Sequence, residues 1–180
     1  MAELIASALR DGTTPFEAAE TLMEVLDLGP VAAILPWPGR AAAVDAALKA
    51  RGLGLPAPGT SLEVADARIL WAGRETAFLI GMPPPALADA AVIDLTDGWV
   101  GLGLSGAGSE AVLARLVPID LRPGSFAGGA VARTLLGHVQ ILIQRRGSGF
   151  ELMMMRSYLQ SARHEVAGAM RRLAALSVAG

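Results

Sequence analysis

Three consecutive prolines, Pro83, Pro84 and Pro85, stand near the middle of the chain. Proline lacks a backbone N–H and fixes φ, so neither a helix interior nor a paired strand runs through this point. The triplet predicts two halves of one compact unit, meeting near residues 82–90. Both sides share a rhythm of strand, helix, strand and strand, without a close sequence repeat. At 180 residues the length suits one domain, and folding at that size buries roughly 70% of the unfolded surface.

Hydrophobic patterning fills in the elements. Thr14, Pro15 and Glu17 form a helix-start signature, and Phe16, Ala19, Leu22, Met23 and Leu26 follow at helical spacing. We therefore expect a helical segment within residues 1–30. A strand over 31–35 and a helix over 40–51 come next, the helix closed by Gly52. A strand pair spans 67–72 and 76–81. Beyond the prolines, Ala91, Ile93 and Leu95 alternate with polar residues. Val100, Leu102 and Leu104 then share one strand face, with Trp99, Gly101 and Gly103 on the other. A short helix over 109–117, a strand-like run over 130–144 with Gly137 as a candidate break, and a strand over 150–155 complete the second half. Ser157 and Gln160 form a second capping box ahead of an apolar stripe, Leu159, Ala162, Val166, Ala169, Met170 and Leu173. Strands and helices mix without strict alternation. The fold class is α+β, with mostly antiparallel sheets and packed helices.

Composition removes several functions. There is no cysteine, which excludes disulfides, thiolate metal sites and cysteine nucleophiles. The formal net charge is −2, with no basic block to bind nucleic acid. The most apolar window, 126–143, carries Arg133, Thr134, His138 and Gln140, which a lone membrane span tolerates badly. The N-terminus has Glu3 where a signal peptide needs positive charge. A cytoplasmic protein is expected. Hydrophobic residues still make up 53% of the chain. Either partners cover part of the surface, or the core is simply rich in Ala, Leu and Val.

Residues able to run chemistry are scarce. Gly106, Gly108 and Ala111 match a loose dinucleotide-binding pattern, but the acid expected after a second parallel strand is missing, so a plain strand-to-helix turn is favoured. His138 and His164 are the only histidines, too few for a metal site without cysteines. His138 shares a polar strand face with Gln140 and Gln144, which solvent or a partner must cover. Asp94, Asp97 and Asp120 read as turn caps near strand ends. Arg133 falls mid-strand, where a guanidinium needs a carboxylate or an interface. Ser105 and Ser125 lack the glycine elbow of a hydrolase. Met153, Met154 and Met155 suit either an adaptable interface or alternate-face core filling. No catalytic, cofactor-binding or metal residue is assigned; Arg133, His138, Gln140 and Arg156 are the candidate interface residues.

The order of these pieces carries more than any one of them. Residues 31–39 (VAAILPWPG), 54–59 (GLPAPG) and 69–81 (ILWAGRETAFLIG) precede Leu104-Ser105-Gly106, Pro118-Ile119-Asp120-Leu121, Pro123, Phe126, Gly129, Arg133-Thr134-Leu135 and Arg156-Ser157. This series resembles the gamma subunit of heterotetrameric sarcosine oxidase, from residue 31 to about 173. It departs from that family at Arg74, where proline is usual, and at Ala77 and Phe78.

The resemblance implies a fold related to the folate-binding aminomethyltransferase domains of glycine-cleavage T proteins, covering residues 31–180. It implies alpha, beta and delta partner subunits. Together they would oxidise sarcosine to glycine, giving hydrogen peroxide and either formaldehyde or methylene-tetrahydrofolate. FAD, FMN, NAD and tetrahydrofolate are then expected in the partner subunits, with zinc on the delta chain and none of these on this chain. The role implied here is non-catalytic support, and the isolated chain is expected to self-associate through its orphaned interface. The alternative is a free-standing tetrahydrofolate-binding or aminomethyltransferase-like protein.

Overall fold

The computed structural model describes residues 14–178. In chain order its elements are β1 (Phe16–Ala18), β2 (Thr21–Leu26), β3 (Val31–Pro36), α1 (Ala41–Lys49), β4 (Ser61–Val64), β5 (Ala67–Gly73), β6 (Thr76–Ile80) and β7 (Ala90–Asp94). They continue with β8 (Trp99–Ser105), α2 (Ser109–Leu113), β9 (Val131–Leu136), β10 (Val139–Arg146), β11 (Gly149–Met155), a 3-10 turn (Arg156–Tyr158) and α3 (Leu159–Val178). The strands form two antiparallel sheets, ordered β1-β2-β8-β11-β10-β9 and β4-β5-β6-β3-β7. This is the antiparallel α+β class expected from the sequence.

The shared rhythm of the halves has a topological meaning. β3-α1-β4-β5-β6 and β8-α2-β9-β10-β11 repeat one arrangement, a strand, a helix and a three-strand meander whose last strand pairs with the first. The strand leading into each unit joins the other unit's sheet. β2 precedes β3 but pairs with β8, and β7 precedes β8 but pairs with β3. The Pro83–Pro85 segment is the connection from β6 to this exchanged strand, so it separates the units in sequence but not in space.

Side-chain alternation sorts the core into layers. On the five-stranded sheet, Ile34, Ile69 and Leu79 face α1 and pack on Val44 and Leu48. The opposite face presents Val31, Ala33, Leu70, Phe78 and Ile80, which meet Val131, Leu142 and Met153 of the six-stranded sheet. On the far side of that second sheet, Val100, Leu102, Leu104, Ile141 and Ile143 pack on α2 and α3. The stripe read on the last helix is buried as expected, with Leu159, Ala162, Val166, Ala169 and Met170 inside and Leu173 packed at its margin. Among the described residues no helix is long and apolar enough to cross a membrane.

The helix expected near the N-terminus is corrected. Residues 16–26 form the β1–β2 hairpin, while residues 1–13 of the predicted 1–30 segment lie outside the described residues. Ala19 and Glu20 sit at φ 51° and 52°, consecutive left-handed residues that reverse the chain between Ala18 and Thr21. The local period favours a helix, but a helix here would leave β8 without its neighbour. Tertiary pairing outweighs intrinsic propensity, which is worth only tenths of a kcal/mol per residue. The hairpin shares one sheet with the second half, so the boundary expected at residue 31 does not divide the sheets.

The same hairpin explains the glycines of the dinucleotide-like pattern. A Cβ on Gly108 would stand 1.9 Å from the Ala19 carbonyl oxygen, and one on Gly106 would stand 2.2 Å from that of Glu20. The Gly108 N–H donates to the Glu20 carbonyl at 3.1 Å. These glycines let two backbones touch. The second capping box is also corrected: Ser157 lies inside the 3-10 turn, and α3 starts at Leu159. β4 has no counterpart in the sequence reading, because Leu62 and Val64 project to the outside of an edge strand.

A cluster of polar contacts joins the two sheets at one end of the apolar layer between them. Arg68 on β5 donates through Nη2 to Glu151 Oε1 on β11, and both side chains are buried. Arg146 Nη1 stands 3.7 Å from the second Glu151 oxygen. Beside the pair, buried Gln144 donates to Ser61 Oγ at 2.9 Å and Glu63 Oε1 at 3.2 Å. The polar face read on β10 is thus partly closed by the edge of the other sheet.

Two outcomes follow for stability. Arg68→Met leaves Glu151 buried beside only the distant Arg146, and should destabilise the fold by about 3 kcal/mol in urea unfolding; the double variant Arg68→Met/Glu151→Leu should recover most of that loss. Gly108→Ala forces a methyl into the Ala19 carbonyl and should lower stability by about 2 kcal/mol in the same assay.

Candidate functional site

The two sheets part at the end opposite the Arg68–Glu151 pair. There the β5–β6 turn, the start of β8, the β9–β10 turn and the end of β11 surround a cleft of about 440 Å³. Its floor is apolar. Phe78 and Trp99 meet edge to face, with ring centroids 4.8 Å apart and planes at 89°. Trp99 reaches the floor because it occupies the strand face shared with Gly101 and Gly103, as the sequence alternation requires. Gly101 and Gly103 themselves leave room for Leu26 and Leu28.

Three of the four candidate interface residues gather at this cleft, namely Arg133, His138 and Gln140. Arg133 lies on β9, the edge of the six-stranded sheet, and forms no ion pair with a described residue. Its guanidinium has two long contacts, Nη1 to the Ala72 carbonyl and Nη2 to Gln140 Oε1, both at 3.5 Å. His138 is exposed in the β9–β10 turn, with Nδ1 3.9 Å from Glu165 Oε1. The cleft also takes Thr76, Met155 and Tyr158, which the sequence reading did not single out as a group. Strand periodicity gives each a face but not a common destination.

Arg156 does a different job. Its Nε donates to the Asp97 carbonyl at 2.8 Å, and Nη2 reaches the Trp99 and Thr96 carbonyls at 3.3 and 3.4 Å. It braces the β7–β8 turn from below and thereby positions Trp99. The aspartates do not assemble into an acid–base pair. Asp94 accepts from the Thr96 hydroxyl at 2.7 Å and the Thr96 N–H at 2.9 Å, and these bonds hold its carboxyl below the usual carboxylate range. Asp120 sits in a separate loop. Among the described residues no group of three His, Asp or Glu side chains is arranged to hold a metal ion. The three methionines split as alternation demands: Met153 lies between the sheets, Met154 faces the helices, and Met155 is 54% exposed at the cleft mouth.

The Pro118–Pro123 loop that contributes to the family-like series is braced from within and from outside. Asp120 accepts from Arg122 Nε at 2.9 Å, Nη2 at 2.6 Å and N–H at 3.0 Å, and from Ser125 Oγ at 2.8 Å. The Arg122 guanidinium is the largest cause holding the Asp120 carboxyl well below its ordinary value. From β10, Arg145 donates to the carbonyls of Phe126 (2.6 Å) and Leu121, pairs with Glu110 at 3.2 Å, and lies over the Phe150 ring. Loop 118–126 is therefore a fastened structural element.

The fold has known relatives. It matches a chain of heterotetrameric sarcosine oxidase from Corynebacterium sp. U-96, solved in complex with pyrrole 2-carboxylate, with a TM-score of 0.77 and 23% identity over 89% of each chain. It also matches the glycine cleavage system aminomethyltransferase T from Bartonella henselae, with a TM-score of 0.53 and 18% identity. That alignment covers 81% of this chain and 45% of the other, so this chain spans under half the length of the transferase. No family model matches the sequence, and no curated protein sequence matches it. At these identities the likeness establishes the fold, which is the one the sequence resemblance implied.

The Asp120 loop gives a pH prediction. Because its carboxyl is held low, the contribution of Asp120 to loop order is present above the ordinary aspartate value of about 3.9 and is lost as pH falls through its lower folded value. A carboxyl-carbon NMR titration should find Asp120 still ionised where exposed aspartates are protonated. Arg122→Ala should return it toward the ordinary range with little change in global stability, since the pair is largely solvent-exposed.

Proposed function

We propose that this chain is the gamma-type, non-catalytic subunit of a heterotetrameric sarcosine oxidase. The observation that carries the reading is the near end-to-end likeness to a chain of such an enzyme, 89% of both chains in one alignment. The alignment runs through most of both chains, as expected for chains holding equivalent places in equivalent assemblies. In this reading alpha, beta and delta subunits are the partners, and they carry FAD, FMN, NAD and tetrahydrofolate. The assembly works in the cytoplasm, turning sarcosine into glycine with hydrogen peroxide and either formaldehyde or methylene-tetrahydrofolate.

The surface we assign to partners is the side formed by the β9–β10 turn and the cleft rim. Leu135 is 40% exposed there beside Met155, His138 and Gln140, a mixture of apolar and polar groups suited to a protein contact. Arg133 stands at its inner edge, and Arg156 supports it from beneath. The likeness to aminomethyltransferase T favours one alternative, a free-standing tetrahydrofolate-binding protein on the same fold.

Purification of the tagged chain from its native cells tests the proposal. The expected outcome is recovery of stoichiometric flavin-bearing polypeptides with sarcosine-dependent peroxide formation, while the chain alone neither turns over sarcosine nor binds tetrahydrofolate tightly in calorimetry. Turnover by the isolated chain, or tight folate binding without flavoprotein partners, would overturn it in favour of the alternative.

A further inference from the structure

We infer that the cleft between the splayed ends of the two sheets binds a small planar aromatic carboxylate. This inference rests on the cleft itself and does not need the subunit assignment. The volume, about 440 Å³, lies in the lower part of the range for small-molecule sites and suits a body of one or two rings. The floor supplies aromatic surface through Phe78 and Trp99, with Leu142 beside them. A flat apolar group gains most from such a floor, because it buries both its own surface and that of the rings.

The charge of the lining decides the rest of the ligand. None of the eleven lining residues is acidic, whereas Arg133 is a fixed cation and His138 adds a second basic group at the rim. Elsewhere in the fold most described guanidiniums are spent on bracing: Arg68, Arg122 and Arg145 hold carboxylates, and Arg156 holds three carbonyls. Arg133 holds only two neutral oxygens, both at 3.5 Å, a distance at which little hydrogen-bond energy remains. A guanidinium presents a planar fork that matches a carboxylate with two parallel hydrogen bonds. Gln140, already within reach of Arg133, offers an amide to the same anion. His138 is placed to add attraction when protonated, although Glu165 stands 3.9 Å from its Nδ1 and competes for it. The main anchor is therefore Arg133, with the rings holding the plane of the ligand.

The test uses the purified full chain and two probes of the same shape, the naphthoate anion and neutral naphthamide. Calorimetry should give naphthoate at least about tenfold tighter binding than naphthamide, the difference expected of one charge-assisted bidentate contact. The indole N–H resonance of Trp99 should shift on titration, while those of Trp37 and Trp71 stay in place. In Arg133→Gln the preference for the anion should fall to near parity, with a nearly unchanged melting temperature because Arg133 is exposed on an edge strand and makes only two long contacts. Arg133→Lys should restore only part of the preference. Equal affinity for acid and amide, as a surface reserved for a partner's apolar side chain would show, overturns the inference. So does an anion preference that survives Arg133→Gln, or binding that leaves the Trp99 resonance unmoved. None of these results depends on whether flavoprotein subunits co-purify.

Discussion

The buried pair between Arg68 and Glu151 sets the geometry on which the rest of this molecule depends. With Gln144 and its partners Ser61 and Glu63 beside it, the pair joins the two sheets at one end of a layer that is otherwise largely apolar. Hydrophobic contact holds sheets together but is indifferent to small slides, whereas a guanidinium and a carboxylate removed from water tolerate only one relative placement. The pair joins residues 83 positions apart in sequence, and it fixes one end of the sandwich. At the other end of β5 nothing comparable spans the gap, and the sheets part over Phe78 and Trp99. The cleft opens at the end of the sandwich away from the pair. A buried ion pair is weak ground for claiming stability, since apolar replacements often do as well.

The exchanged strands give the two halves a second form of interdependence. β2 and β7 each complete the sheet of the unit they do not precede, so neither half can close its sheet alone. Contact between the β1–β2 turn and the turn after β8 is backbone on backbone, which is why Gly106 and Gly108 are there. The glycines of the loose dinucleotide-like pattern thus belong to a plain strand-to-helix turn packed against the protein's own backbone. The arginines follow the same logic: Arg145 fastens loop 118–126, and Arg156 fastens the β7–β8 turn beneath Trp99. Arg115 and Arg163 likewise donate to backbone carbonyls, at 2.9 and 3.0 Å.

Much of this was legible before the structure. The faces of β8 and β10 follow from period-two alternation, and the buried stripe of α3 from its three-and-four spacing. Asp94 and Asp120 fold their own turns, as their positions beside strand ends suggested. The hairpin over residues 16–26 was not legible, because its helical period and capping signature are local, and the ladder with β8 that overrules them lies some eighty residues away. The convergence of Arg133, His138 and Gln140 was only half visible. Their spacing gives a common neighbourhood on β9 and β10, but the aromatic floor they face is brought by two other strands.

By itself the sequence determined where the chain must break, which strand faces are apolar, and which chemistries are closed to it. Those properties depend on backbone constraints and on neighbours within a few residues. The tertiary structure alone decided that the leading strands change places, that a salt bridge crosses the core, and that Arg133 lines the same cleft as two aromatic rings. Each of these joins segments far apart along the chain. Their placement is set by how whole sheets pack, a collective balance of buried area and strand pairing that no local window of residues contains.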